Sequence, residues 1–201
     1  MTVYKVSGRG YGCNSYILTA DNRTAVIIDC ADEKVYYRCE ELGLKPIAVL
    51  LTHGHFDHVG GCGKFNSENV PICCGEREEK FIFSKENRTI FGGVYIPDFN
   101  IFKTFADGEK ITVGGIKLEV ISTPGHTAGS VCYLADECLF SGDTLFLGSI
   151  GRSDLPGGDF IQLMGSLKKL LSIDKNLKVY CGHGSETMLN FERKNNPYVK
   201  Y

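Results

Sequence analysis

The chain lacks an excess of charge of either sign: 22 Lys and Arg stand against 24 Asp and Glu, a net charge of −2. A basic stripe, the electrostatic footprint of a nucleic-acid binder, is therefore not expected. Long hydrophobic runs are missing too. The longest, such as Ile47 to Leu51, fall far short of the roughly 20 residues that span a bilayer. The opening Met1-Thr2-Val3-Tyr4-Lys5 has neither the basic nor the apolar block of a secretory leader, so a cytoplasmic protein without membrane contact is expected. No Cys-x-x-Cys pair occurs among the nine cysteines. An odd count without a leader favours free thiols, most of them small buried hydrophobes. No repeat of 20 to 50 residues is visible.

What is present suits one globular domain over residues 1–201. Apolar residues make up 43% and charged residues 23%, near soluble averages, which excludes long disorder. Glycine is abundant, at 24 residues, and punctuates motifs and turns.

Period-2 patterns predict strands at residues 1–6, 14–19 and 25–29. Val35, Cys39 and Leu42 predict a helix over 32–42, closed by Gly43 and followed by Pro46. The wholly apolar Ile47–Leu51 reads as a strand buried on both faces. Val70–Cys74 reads as a strand, 76–85 as a helix and 87–100 as a loop. Gly114-Gly115 marks a hairpin turn between 110–113 and 116–121, and 130–134 pairs with 138–140. Phe160, Leu163, Met164, Leu167, Leu170 and Leu171 form the stripe of a helix that Asp159 and Gln162 cap. A strand at 177–181 and a helix at 186–194 close the chain. The alternation predicts two packed sheets with helices outside, an α/β layered fold.

Histidine is scarce, and its placement is the main signal. All five histidines (His53, His55, His58, His126, His183) sit in Gly-flanked motifs at the ends of predicted strands. Neutral imidazole is the commonest biological metal ligand. In a tight loop His53 and His55 can converge on one ion, while Asp57 and His58 project onward to a second. Ser141-Gly142-Asp143-Thr144 adds a carboxylate at a strand end, a candidate bridge between two ions.

At these residues the sequence resembles the metallo-β-lactamase superfamily. Its HxHxDH signature stands as His53-x-His55-x-Asp57-His58, followed in family order by Gly125-His126-Thr127, Gly142-Asp143-Thr144 and Gly182-His183-Gly184. The resemblance implies an αββα sandwich of two mixed β-sheets with helices on the outer faces. It implies a first metal on His53, His55 and His126, and a second on Asp57, His58 and His183. Asp143 then bridges them. Two zinc ions are the expected cofactor, with iron or manganese as alternatives. The implied activity is hydrolysis of a small-molecule substrate, with Asp57 orienting the nucleophile.

Ser141–Phe146 and Gly151–Asp159 resemble glyoxalase II-like thioesterases, which makes a thioester the expected substrate. Full-length glyoxalase II adds a C-terminal helical domain that grips glutathione, and little chain follows His183, so the thiol carrier stays open. Asp143 stands where the common dinuclear β-lactamases carry Cys, which disfavours antibiotic hydrolysis. His55 stands where flavodiiron reductases carry Glu. A mononuclear iron persulfide dioxygenase using positions like His53, His126 and Asp143 is the alternative, with lactonases beyond it.

Lesser candidates are Arg152, for a substrate carboxylate or a pair with Asp154, and Tyr11 at the pocket mouth. Asp29 is a candidate partner of a ligand histidine, and Cys181 reads as a buried neighbour of His183. The 87–100 loop, with Phe91 and Tyr95, is a candidate lid.

Overall fold

Neighbouring residues along the strands point into different apolar clusters, and this alternation builds the layers. In β2 (Asn14–Thr19), Tyr16 and Leu18 face one cluster and Ile17 another. In β3 (Thr24–Ile28), Val26 and Ile28 oppose Ala25 and Ile27. A sheet apolar on both faces must be covered on both.

The computed structural model describes residues 1–8, 13–89 and 95–199. The first sheet runs in the order β1 (Thr2–Ser7), β2, β3, β4 (Lys45–Leu50), β5 (Ile72–Gly75) and β6 (Lys103–Phe105). Its β1–β2–β3 pairs are antiparallel and its β3–β4–β5–β6 pairs parallel. The second sheet contains β7 (Lys110–Val113), β8 (Ile116–Ser122), β9 (Val131–Ala135) and β10 (Cys138–Gly142). A two-residue hairpin, β11 (Leu145–Phe146) and β12 (Ser149–Ile150), follows β10. With β13 (Lys178–Cys181) and β14 (Thr187–Met188), the second sheet has the order β14-β13-β10-β9-β8-β7. Among the described residues, β10 and β13 pair in parallel there and the other neighbours are antiparallel.

The central cluster lies between the sheets, where Leu18, Val26, Ile28 and Leu50 meet Leu118, Val120, Tyr133 and Phe140. The outer face of the first sheet packs on α1 (Lys34–Glu41), α2 (Phe56–Val59), α3 (Cys62–Ser67) and α4 (Glu79–Ile82), through Val35, Cys39, Phe65 and Ile82. The outer face of the second sheet packs on α6 (Phe160–Leu171) through Leu163, Leu167 and Leu170, and on α7 (Leu189–Asn195) through Leu189. This is the expected αββα sandwich of two mixed sheets. Among the described residues no helix is long and apolar enough to cross a membrane.

Local differences have local causes. Pro46 lies inside β4 rather than ahead of it, at an irregularity in the β3–β4 register, which spares a ladder bond that proline cannot donate. The helix expected over 76–85 is shorter, with α4 ending at Ile82 and α5 (Lys85–Thr89) starting anew: the Ser84 hydroxyl accepts from the Asn87 N–H at 3.1 Å and the Asn87 side chain donates to the Ile82 carbonyl at 3.2 Å. Phe160 shares the stripe of α6 by spacing but is 54% exposed and stands outside the apolar cluster. The Asp159 cap forms: its carboxylate accepts from the Gln162 backbone N–H at 3.0 Å and the Gln162 side chain at 2.9 Å. Ile96 and Phe99 are buried on the outer core, and the Asn100 N–H donates to Asn66 of α3, so 95–100 covers the helix layer rather than a cleft. Phe91 and Tyr11 lie outside the described residues.

Candidate metal centre

The chemistry-bearing residues sit on loops that leave strands at their carboxyl ends, where parallel strands commonly hold ligands. Asp29 follows β3, and Thr52 to His55 follow β4. His126 lies beyond β8, Asp143 follows β10 and His183 follows β13. The α2 turn brings His58 back, with its N–H donating to the His55 carbonyl at 2.9 Å. Gly182 is needed where it stands: a Cβ there would run into Asp143 Oδ1 and His58 Cε1.

His53, His55 and His126 form a buried cluster. His126 Nδ1 donates to the Arg152 carbonyl at 2.7 Å, which leaves its Nε2 a bare lone pair when the ring is neutral. The Thr52 hydroxyl donates to Asp29 at 2.7 Å, so it accepts from His53 Nδ1 at 3.1 Å and His53 Nε2 is bare as well. These two nitrogens face each other at 3.2 Å, and His55 Nδ1 lies 2.9 Å from His126 Nε2. Protonation does not relieve the crowding. Burial holds His53 well below the usual imidazole range and pushes His55 down to about 3. Convergent, neutral imidazole lone pairs with no proton between them are the donor set of a cation site, so the residues fit a metal ion.

The second cluster is acidic. His58 Nδ1 donates to Asp29 Oδ2 at 2.9 Å, so its Nε2 faces Asp143 Oδ1 at 3.3 Å and His183 Nε2 at 3.4 Å. His183 Nε2 lies 3.2 Å from Asp57 Oδ2 and 3.4 Å from Asp143 Oδ2. Asp143 thus touches both clusters, its Oδ2 also standing 3.5 Å from His126 Nε2, while its buried Oδ1 has no hydrogen-bond partner. Burial opposes a charge on His58, but Cys13, Asp143, Asp29 and Asp57 outweigh it and lift the imidazole well above its ordinary range. Burial likewise opposes a charge on His183, yet hydrogen bonds to Asp143 and Asp57 raise it to about 9. Burial works against the Asp143 carboxylate too, but His58, His183 and His126 hold it well below the usual range.

A cleft of about 300 Å³ opens over both clusters. Phe56, Phe146 and Leu155 line it alongside His55, His126, Asp143 and His183. A larger groove, about 650 Å³, lies between α6 and the C-terminal segment and holds no histidine.

All seven residues expected to hold metal meet at this cleft or directly beneath it. Asp29 bonds His58 as a tautomer-fixing partner. Cys181 is buried, and its carbonyl accepts from Tyr16 Oη at 2.6 Å. Arg152 lines the cleft, but its guanidinium Nε and Nη2 donate to the two Asp154 oxygens at 2.7 Å each, so the fork expected for a substrate carboxylate is engaged within the loop. Three buried residues escaped sequence reasoning. Glu78 accepts from the Gly54 N–H at 2.7 Å and Thr127 Oγ1 at 2.8 Å, tying together the two histidine loops. Asn87, expected in a lid, donates instead to the Gly54 carbonyl at 2.8 Å. Cys13 joins Asp57, His58 and His183. None of the three belongs to a short motif, so no local signal marked them.

The chain matches the Metallo-beta-lactamase superfamily over residues 8–183. It is 35% identical over 200 residues to "Hydroxyacylglutathione hydrolase GloC" of Haemophilus influenzae, covering 92% of each protein. It is 34% identical over 197 residues to "Probable metallo-hydrolase YqgX" of Bacillus subtilis, again covering 92% of each. Among solved structures, BLEG-1 B3 metallo-beta-lactamase superposes with a TM-score of 0.93 at 31% identity, covering all of both chains. TTHA1623 in a di-iron-bound form gives 0.85 at 33% identity, covering 98% of this chain and 100% of that one.

Proposed function

Since the chain belongs to the metallo-beta-lactamase superfamily, we propose that it is a dinuclear metal-dependent hydrolase of thioesters. The observation that carries this reading is the convergence of His53, His55 and His126 beside Asp57, His58 and His183, with Asp143 touching both groups under one cleft. The first three would hold one cation, the second three another, and Asp143 would contact both. Such a pair supplies an acidified water as nucleophile and positive charge for the developing oxyanion. Zinc is the expected ion, and the di-iron form of TTHA1623 keeps iron as the second choice.

The chain's own residues do the positioning. Asp29 holds the His58 tautomer and the Arg152 carbonyl holds that of His126. Asp57, its side chain 16% exposed and its Oδ2 3.2 Å from His183 Nε2, orients the attacking water and takes its proton. Phe56, Phe146 and Leu155 give the acyl chain an apolar wall. GloC, which matches this chain over 92% of its own length, supports a thioester with a glutathione leaving group.

The test joins metal analysis to activity. About two zinc per chain with cleavage of S-lactoylglutathione is expected. About one iron per chain with oxygen consumption on glutathione persulfide would establish the dioxygenase instead. A β-lactam is assayed alongside, given the name of BLEG-1. Asp57→Ala and His126→Ala should each lower kcat by at least about 100-fold with the fold retained by circular dichroism. Near-normal turnover in either variant would refute the assignment.

A further inference from the structure

We propose that the sulfur of Cys13 is a further donor to the cation held by Asp57, His58 and His183, making the second subsite a mixed thiolate, carboxylate and imidazole site. This rests on the reading of that cluster as a cation site.

Four observations carry it. The donor atoms of Cys13, Asp57, His58 and His183 all lie within 4.8 Å of one another. Cys13 is 1% exposed, so its sulfur is not a surface thiol that happens to be near. The other eight cysteines each belong to, or pack against, one of the three apolar clusters, as small hydrophobes do; Cys13 belongs to none. Its sulfur donates only a weak, long hydrogen bond to the Asn14 carbonyl, at 3.7 Å.

The backbone holds Cys13 in place. It forms an isolated antiparallel bridge with His183, and its carbonyl accepts from the Gly8 N–H at 2.6 Å. The next residue is clamped to the His183 loop: the Asn14 N–H donates to the Gly182 carbonyl at 2.6 Å, and Asn14 Nδ2 to the carbonyls of Cys181 and Gly184 at 3.0 and 3.1 Å. The sulfur and the His183 ring are therefore positioned by one rigid junction. A thiolate changes the site's preference. It favours zinc and cobalt over magnesium and manganese, which prefer oxygen donors, and the thiol proton leaves to solvent on coordination.

Cobalt(II) reads this directly. The whole protein, stripped of metal, is loaded anaerobically with two equivalents of cobalt chloride. An intense near-ultraviolet thiolate-to-cobalt charge-transfer band is expected beside the weaker visible d–d bands. Cys13→Ser should abolish the ultraviolet band, keep visible bands and weaken the second equivalent at least about tenfold. Cys138→Ser, at a half-buried strand residue away from the site, should keep the band. X-ray absorption of the zinc-loaded wild-type chain needs no variant and should give a sulfur shell near 2.3 Å. Two bound cobalt ions without the ultraviolet band, a band that survives Cys13→Ser, or zinc with no sulfur shell would overturn this proposal alone. Failure to bind cobalt would overturn it together with the cation-site reading.

Discussion

At the scale of single residues, the site is a problem of where protons are not. His126 and His53 each spend one ring N–H on an acceptor behind them, the Arg152 carbonyl and the Thr52 hydroxyl, and present bare nitrogens 3.2 Å apart. Backbone fit matters as much as the ligands. Gly182 lies against Asp143 and His58, and any side chain there displaces them. Gly182→Ala should leave the first cluster able to bind and remove most of the second ion, lowering stability by about 1–3 kcal/mol. Elemental analysis of the purified variant checks this, with one ion per chain expected in place of two.

At the scale of elements, short segments are held by caps and by buried polar ties. Asp159→Ala removes the α6 cap and should cost about 1 kcal/mol, a fall of roughly 2–4 °C in Tm by calorimetry. Glu78, at the start of α4, has the more informative pH response. Burial raises its carboxyl from 4.5 to about 7, against the opposing hydrogen bonds from Thr127, Gly54 and Gly129. Between those pH values the folded chain binds more protons than the unfolded one. The contribution of Glu78 to stability is therefore greatest below about 4.5, falls as pH rises through about 7 and is level beyond. The change is of the order of 3 kcal/mol. Denaturant unfolding of the metal-free protein at several pH values should show this slope, and Glu78→Gln should flatten it.

At the scale of the whole molecule, the site lies where loops from both sheets meet, so a bound cation links the two layers. Binding to the folded state alone stabilises by mass action, about 4 kcal/mol at a thousandfold excess over Kd. That corresponds to a Tm rise of the order of 10 °C for a chain of this size. Thermal unfolding with zinc and with a chelator should differ by that amount. An unchanged Tm would mean that the loops close without help from the ion.

The layered fold was legible because it rests on local periodicity. Strands apolar on both faces, such as Val26 to Ile28 and Leu139-Phe140, demand cover on two sides wherever they sit. The histidines and Asp143 were legible for a related reason: strand ends beside glycine are where side chains can converge, and the residue types themselves name the chemistry. Cys13, Glu78 and Asn87 are ordinary residues in ordinary segments. Their roles arise only when β2 docks on the His183 loop and α4 and α5 dock on Gly54. Arg152 shows the same limit from the other side. Its sequence suggested the guanidinium, but folding occupies that group with Asp154 and gives the task of orienting His126 to a backbone carbonyl. Local pattern determined which residues could do chemistry and on which layer they lie. Long-range packing decided which atoms of those residues face one another, because contacts between distant segments leave no trace in the spacing of either one.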